Sequence, residues 1–210
     1  MKLLVATRSA GKAREIRSLL EGLPFGIELP QDRFLDRLPE EDDLESGATY
    51  AENAVLKARY FSERARGEVP TVADDSGLEV DALDGAPGVH SARWAGGGAG
   101  ATDGKQDARN NTKLVAALQG VSEKKRTARY RCVVAFLDRL DGTPEIVEAT
   151  CEGRIVLEPR GSGGFGYDPY FFSPELGLTF GEAALPAKHR VSHRGRAFRA
   201  LAEMLLRRGV

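Results

Sequence analysis

The sequence has few cysteines, no long apolar run and almost no net charge. Its two cysteines, Cys132 and Cys151, lack metal-ligand spacing, so no structural zinc site is predicted. No apolar stretch reaches the length of about eighteen residues that a membrane helix needs, and the apolar start is too short for a signal peptide. The formal net charge of −1 also argues against an extended nucleic-acid surface, which needs clustered Lys and Arg. These absences predict a cytoplasmic protein with neither a membrane nor a nucleic-acid polymer as partner.

Apolar residues at helical spacing predict four helices, each followed by a glycine that would end it. The second helix has the clearest start, because Thr49 and Glu52 form a capping box. The predicted helices begin near residues 13, 49, 105 and 192, and they end at Gly22, Gly67, Gly120 and Gly209.

Runs of β-forming residues lie between these helices. Strands are predicted over 3–6, 69–73, 128–137, 145–151 and 154–157. Asp141-Gly142 and Glu152-Gly153 are predicted turns of an antiparallel meander, and residues 74–77 are a predicted loop. The pattern predicts one mixed α/β domain over residues 1–210, with helices flanking a twisted mixed sheet and a second lobe in the middle of the chain.

The first polar segment joins a strand to a helix and would present backbone N–H groups, a hydroxyl and an ammonium to an anion. It is not a Walker A loop, because Ala13 follows the lysine where Ser or Thr is required. Helix capping alone would also explain this sequence. The residues of this candidate phosphate loop are Thr7, Arg8, Ser9, Ala10, Gly11 and Lys12.

Two acidic segments could together hold a divalent cation. One contains Glu45, and the other places Asp74 and Asp75 directly after a predicted buried strand. Carboxylate oxygens without His or Cys favour Mg²⁺ over zinc. Each segment has a simpler explanation, a solvated loop for the first and an Asx turn for the second.

A glycine-rich segment and a basic segment follow near the end of the chain. Residues 161–166 formally spell G-x-G-x-x-G, but no helix follows them, so dinucleotide binding is not predicted. The glycines would instead let a flat base reach an aromatic ring, although a core aromatic is the competing interpretation. The candidate ligand contacts here are Phe165, Gly166, Tyr167, Asp168, Lys188, His193 and Arg194.

Together these motifs resemble the inosine triphosphate pyrophosphatase family, the non-canonical purine nucleoside triphosphate pyrophosphatases. The resemblance is carried by VATRSAGK, ESGATYAENAVLKAR, VADDSGLEVDALDGAPGVHSARWAG, GGFGYDP and SHRGRA, in that order along the chain. It implies an elongated α/β fold with two lobes around a central substrate cleft, and a homodimer. It also implies Mg²⁺-dependent hydrolysis of ITP, dITP and XTP to the monophosphate and pyrophosphate.

The resemblance implies a role for each matching position. Residues 7–12 would hold phosphates, Glu45 and Asp75 would bind Mg²⁺, and Asp75 would also accept a proton. Ser76, residues 165–168, Lys188, His193 and Arg194 would contact the substrate. Arg8 and Ser9 depart from the family pattern, which usually has Gly and Asn there. A hydrolase of modified pyrimidine nucleotides and a catalytically silent nucleotide-binding module are the alternatives.

Overall fold

The computed structural model describes residues 1–96 and 104–209 as a mixed α/β protein, which confirms the predicted fold class. The strands are β1 (Lys2–Val5), β2 (Gly26–Glu28), β3 (Thr71–Val80), β4 (Thr127–Leu137), β5 (Glu145–Ile155), β6 (Phe171–Ser173) and β7 (Leu178–Thr179). The α-helices are α1 (Ala10–Leu19), α2 (Tyr50–Arg64), α3 (Gly104–Ala117), α4 (Leu185–Val191) and α5 (His193–Arg207). Across the described ranges, no helix combines the length and apolar character needed to cross a membrane.

The seven strands form one sheet in the order β2-β1-β3-β4-β5-β6-β7. β1 pairs in parallel with both β2 and β3, whereas β6 pairs antiparallel with β5 and with β7. The register of β1 on β3 sets Val5 opposite Val72. The loop that follows β1 therefore leaves the sheet beside the polar residues of β3.

The chain divides into two compact units. Unit 1 consists of Met1–Asp75, Cys132–Glu148 and the chain from Ala197 onward. Its buried apolar residues come mainly from β1, α1, α2, α5 and the parts of β3 and β4 in this unit, and among them Leu4, Ile16, Phe61 and Phe198 are fully or almost fully buried.

Unit 2 consists of Ser76–Arg131 and Ala149–Arg196. Its core contains a cluster of aromatic rings, in which Tyr130 stacks on Phe180 at 5.9 Å between centroids and also contacts Phe171 at 4.7 Å. Cys151 lies in the same core, and burial raises the pKa of its thiol to about 12. Cys132 is also completely buried, in unit 1.

The predicted helix ends agree with the structure. Gly22, Gly67, Gly120 and Gly209 all follow a helix and all have positive φ, between 65° and 78°. This is the left-handed backbone that glycine adopts without steric cost. α2 also starts as predicted, with the Thr49–Glu52 capping box formed.

Three details of the predicted elements were wrong. Residues 74–77 are not a loop, because β3 continues through them to Val80. Glu152-Gly153 is not a turn, because β5 runs unbroken to Ile155. The helix predicted from about Ser192 is α5, as expected, but the short helix α4 that precedes it was not predicted.

Candidate active site

The candidate phosphate loop in unit 1 is held by its own hydroxyl groups. Ser9 caps α1, because its Oγ accepts a hydrogen bond from the backbone N of Lys12 at 3.3 Å. Thr7 Oγ1 accepts a hydrogen bond from the backbone N of Ser9 at 3.2 Å. The capping interpretation of this sequence therefore describes a real contact, and the phosphate role stays a prediction.

The side chain of Arg8 is engaged by a neighbouring segment. Its Nε and Nη2 donate to the two carboxylate oxygens of Glu41 at 2.8 and 2.7 Å, and Nη2 also donates to the carbonyl of Leu35 at 2.9 Å. The guanidinium lies 5.3 Å from the centre of the Phe61 ring. Because these contacts occupy the guanidinium, we expect any phosphate contact of Arg8 to come from its backbone.

Lys12 reaches from α1 to β3. Its Nζ lies 3.1 Å from Oδ2 of Asp74, whose side chain is completely buried. Consecutive strand residues point to opposite faces of a sheet, so Asp75 has different partners. Those partners come from α2.

Asp75 is held by two polar side chains one turn apart on α2. Asn53 Nδ2 donates to Oδ2 of Asp75, and Lys57 Nζ donates to Oδ1, both at 3.0 Å. The same Nζ donates to Glu45 Oε1 at 2.8 Å. Lys57 thus joins the two carboxylates that were predicted to share a metal ion.

Sequence reasoning missed Asn53 and Lys57 as members of this site. Both residues are buried, and a buried lysine is costly unless it is paired with a negative charge. Burial alone would lower the pKa of Lys57, but the charges of Asp75, Glu45 and Asp74 outweigh it and raise the pKa above its ordinary value. The four-residue spacing on a capped helix was the signal that could have revealed the pair.

The unit 1 carboxylates have the chemistry that Mg²⁺ prefers. Glu45 and Asp75 converge on one positive charge, and hard carboxylate oxygens bind Mg²⁺ together with substrate phosphates. Within residues 1–96 and 104–209, no three His, Cys, Asp or Glu side chains form a ready-made metal site. The fit therefore rests on two protein carboxylates.

The second group of predicted residues lies in unit 2 around the Phe165 ring. Lys188 Nζ is 5.4 Å and the guanidinium carbon of Arg194 is 5.6 Å from the ring centre. Arg194 Nη2 also donates to Ser76 Oγ at 2.8 Å. These two buried cations make cation–π contacts with the ring, and they offer hydrogen-bond donors to a ligand.

Asp168 holds Lys188 and the backbone of Phe165 in place. Its Oδ2 accepts from Lys188 Nζ at 2.5 Å and from the backbone N of Phe165 at 2.9 Å. Gly164 lies so close that a Cβ on it would stand 1.9 Å from the same oxygen. The glycine before Phe165 is therefore required by contact with Asp168 as well as by its φ of 74°.

Tyr167 and His193 are set into the core of unit 2. Tyr167 is 4% exposed, and its hydroxyl donates to the carbonyl of Ser91 at 2.8 Å, as the core-aromatic interpretation of this motif predicted. The His193 ring stacks on Tyr130 at 4.6 Å with 10° between the planes.

The predicted residues thus form two groups, one in each unit. Lys12, Glu45, Asp74 and Asp75 are gathered in unit 1, and Ser76, Phe165, Asp168, Lys188 and Arg194 are gathered in unit 2. Asp75 and Ser76 are consecutive residues of β3.

One known protein family matches nearly the whole chain. The model of the Ham1 family matches residues 3–204. The chain belongs to the Ham1 family. This confirms the resemblance drawn from the motifs.

Named relatives and solved structures agree with that membership. The chain is 49% identical to a dITP/XTP pyrophosphatase of Thioalkalivibrio sulfidiphilus over 98% of both chains. It is 47% identical to one of Geobacillus kaustophilus, over 96% of this chain and 93% of that protein. A HAM1 protein from Coxiella burnetii has a TM-score of 0.82 at 35% identity, and it covers 99% of both chains. The Staphylococcus aureus Ham1 protein has a TM-score of 0.79 at 31% identity, with 98% of both chains covered.

Proposed function

We propose that this Ham1 protein hydrolyses the non-canonical purine triphosphates dITP, XTP and ITP to nucleoside monophosphate and pyrophosphate. Its relatives named dITP/XTP pyrophosphatase match it over nearly their whole length. The observation that carries the proposal is the Glu45–Lys57–Asp75 cluster, which provides the carboxylates that a magnesium triphosphate requires.

In the proposed reaction, a water oxygen attacks the α phosphorus, and the bond from that phosphorus to the oxygen bridging to the β phosphorus breaks. Asp75 accepts the proton of the attacking water, since each carboxylate oxygen retains a lone pair beyond its bond to Asn53 or Lys57. Lys12 and the N–H groups of residues 7–12 stabilise the departing pyrophosphate. Glu45 and Asp75 would hold Mg²⁺, which supplies neutralisation of phosphate charge when bound.

Base selectivity is assigned to the unit 2 group. Phe165 offers a stacking surface, and Lys188, His193 and Arg194 offer donors to the 6-oxo group of hypoxanthine or xanthine. The 6-amino group of adenine would meet these donors with its own, and a buried unpaired group costs about 1–3 kcal/mol. We therefore expect a preference over ATP of about tenfold or more.

The test is pyrophosphate release from a panel of nucleotides, with and without Mg²⁺. We expect turnover of dITP, XTP and ITP, weak turnover of ATP and GTP, and loss of activity in EDTA. Equal efficiency on ITP and ATP would contradict the assigned selectivity. Preferential turnover of a modified pyrimidine triphosphate would identify a different hydrolase, and binding without pyrophosphate release would identify a silent module.

Asp75→Asn is the decisive variant for the mechanism. It keeps the shape of the side chain and removes the proton acceptor, so we expect turnover to fall below detection. The new NH2 group would face Asn53 or Lys57, both of which are donors, so the variant should unfold at a lower temperature than the parent protein but stay folded in the assay. Near-normal pyrophosphate release by the folded variant would remove Asp75 from the mechanism.

We also infer a homodimer acting in the cytoplasm, where nucleotide pools are found. The family resemblance supports the homodimer, and the proposed nucleotide substrate supports the location. Light scattering coupled to gel filtration tests the first, and cell fractionation tests the second.

A further inference from the structure

Residues 163–168, called the aromatic segment below, contain Gly166. Both of its peptide groups are hydrogen-bonded to helix α3. The backbone N of Gly166 donates to Oδ2 of Asp107 at 2.8 Å, and the carbonyl of Gly166 accepts from Nδ2 of Asn111 at 3.0 Å. Asp107 and Asn111 are four residues apart, so they lie on the same face of the helix. The two peptide groups that flank the Gly166 Cα are thus both fixed by α3.

The backbone conformation of Gly166 explains why these two hydrogen bonds matter. Gly166 has a φ of 62°, yet a Cβ built on it would meet nothing within 4 Å. On the side where a Cβ would stand, no contact therefore restrains Gly166. Glycine also has more conformational freedom to lose than any other residue, so we expect the hydrogen bonds from α3 to contribute to its order.

α3 is itself anchored through Asn110. Asn110 donates to the carbonyls of Ser91 and Ala92 and accepts from the backbone N of Ala95 at 2.9 Å. Ser91 is also the residue to which the Tyr167 hydroxyl donates. α3, the 3-10 helix Gly88–Arg93 and the aromatic segment therefore form one hydrogen-bonded framework within unit 2.

The residue that this framework places is Phe165. It precedes Gly166, and its ring centre lies 5.4 Å from Lys188 Nζ and 5.6 Å from the guanidinium carbon of Arg194. Asp168 fixes the backbone N of Phe165, whereas Asp107 and Asn111 fix the peptide groups on its other side. The position of the ring relative to the two cations thus depends on α3.

We propose that Asp107 and Asn111 are positioning residues for base recognition, which they serve by holding the Gly166 peptide groups so that the Phe165 ring stays before Lys188 and Arg194. The inference rests on the proposed function, because it assigns that ring to the nucleotide base. The two residues touch no substrate. Their loss should loosen discrimination between bases more than it slows the reaction of a bound nucleotide.

Asn111→Asp tests this with a side chain of the same shape. The change replaces the donor to the Gly166 carbonyl with an oxygen that repels it. We expect the ratio of kcat/KM for ITP to kcat/KM for ATP to fall about three- to tenfold, chiefly through a higher KM for ITP. Thr112→Asp is the matched control, because it adds the same charge one residue further along α3 at an exposed position. It should leave the ratio within about twofold of the parent value.

Asp107 supplies a second pair of variants. Asp107→Ala removes the acceptor for the Gly166 N–H and should lower the ratio like Asn111→Asp, whereas Asp107→Asn keeps an acceptor oxygen and should largely preserve it. If Asn111→Asp does not fold, the Asp107 pair decides.

An unchanged ratio in a folded Asn111→Asp or Asp107→Ala variant would overturn the inference. So would an equal fall in the Thr112→Asp control. A parent protein that does not prefer ITP to ATP would instead refute the proposed function, so the two failures are distinct.

Discussion

At the scale of single residues, Lys57 gives the acidic side chains of unit 1 a resident positive charge. Its side chain is 10% exposed, and it contacts both Glu45 and Asp75. Two nearby carboxylates repel each other, and an ammonium between them offsets that repulsion. The cluster therefore has a structural role as well as the chemical role proposed for Asp75.

Lys57→Met should destabilise the protein when no divalent ion is present. The substitution leaves Glu45 and Asp75 without their shared cation, and breaking a buried ion pair costs about 3–5 kcal/mol. Urea unfolding in EDTA measures this loss. Lys2→Met is the control, because the Lys2–Glu28 pair is exposed on the lysine side and should contribute less than about 1 kcal/mol. Equal effects of the two substitutions would contradict this account.

Lys12→Ala should mainly weaken binding of the triphosphate. The Nζ that contacts Asp74 lies on the candidate phosphate loop, and an ammonium there attracts phosphate in the ground state and in the transition state alike. We expect KM for ITP to rise about tenfold or more, with a smaller change in kcat. Arg14→Ala removes an exposed positive charge from the same helix and serves as the control. Unchanged kinetics for Lys12→Ala would show that the loop only caps α1.

At the scale of elements, the two misplaced turns have physical causes that the sequence does not reveal. Gly153 suggests a turn, but a Cβ there would stand 2.5 Å from the Phe171 ring and from the Phe172 carbonyl. The glycine is present so that β6 can pack closely on β5. Asp74 and Asp75 suggest a turn because they are polar, but Lys12, Asn53 and Lys57 stabilise them within β3. Both causes are contacts between residues distant in the chain.

The joint between α4 and α5 depends on another close contact. Gly195 lies in the first turn of α5, where a Cβ would stand 1.9 Å from the carbonyl oxygen of His189. Its backbone N also donates to Ser192 Oγ at 3.1 Å. This explains the glycine of the SHRGRA motif, since the chain must turn sharply between the two helices that carry Lys188 and Arg194.

Gly195→Ala should lower the free energy of unfolding although alanine favours helices. Overpacking costs about 1–3 kcal/mol, and here the obstacle is backbone that cannot rotate away. Gly104→Ala is the control, because a Cβ at the start of α3 meets nothing within 4 Å and should be neutral or slightly stabilising. Denaturant unfolding of both variants decides, and a stabilised Gly195→Ala protein would show that the joint can adjust.

At the scale of the molecule, each unit is assembled from separate stretches of chain. Unit 1 takes three stretches and unit 2 takes two, and β3, β4 and β5 each contribute residues to both units. Segments distant in sequence must therefore pair before either core is complete. Such long-range contacts form only after the entropic cost of closing the intervening loops has been overcome.

The fragment Met1–Asp75 should not fold by itself. It contains β1, α1, β2 and α2 but lacks the strand residues of Cys132–Glu148 and the buried face of α5, which belong to the same unit. We expect a circular dichroism spectrum without a cooperative thermal transition and an NMR spectrum without dispersion. A dispersed spectrum from this fragment would show that it is an independent domain.

Features set by neighbouring residues could be predicted from the sequence, whereas features set by contacts between distant residues could not. Local signals were sufficient for the helix ends at Gly67 and Gly120 and for the capping box of α2, because neighbouring residues determine them. Motif order was sufficient for the family. The partners of Asp75 could not be predicted, because the contact with Lys57 exists only once α2 packs beside β3.

The burial of both thiols has a practical consequence. Cys132 and Cys151 are inaccessible, and the Cys151 thiol resists ionisation at neutral pH. We therefore expect maleimide dyes not to label the native protein. A cysteine introduced at an exposed position would then be the single labelling point, with no need to replace the natural ones.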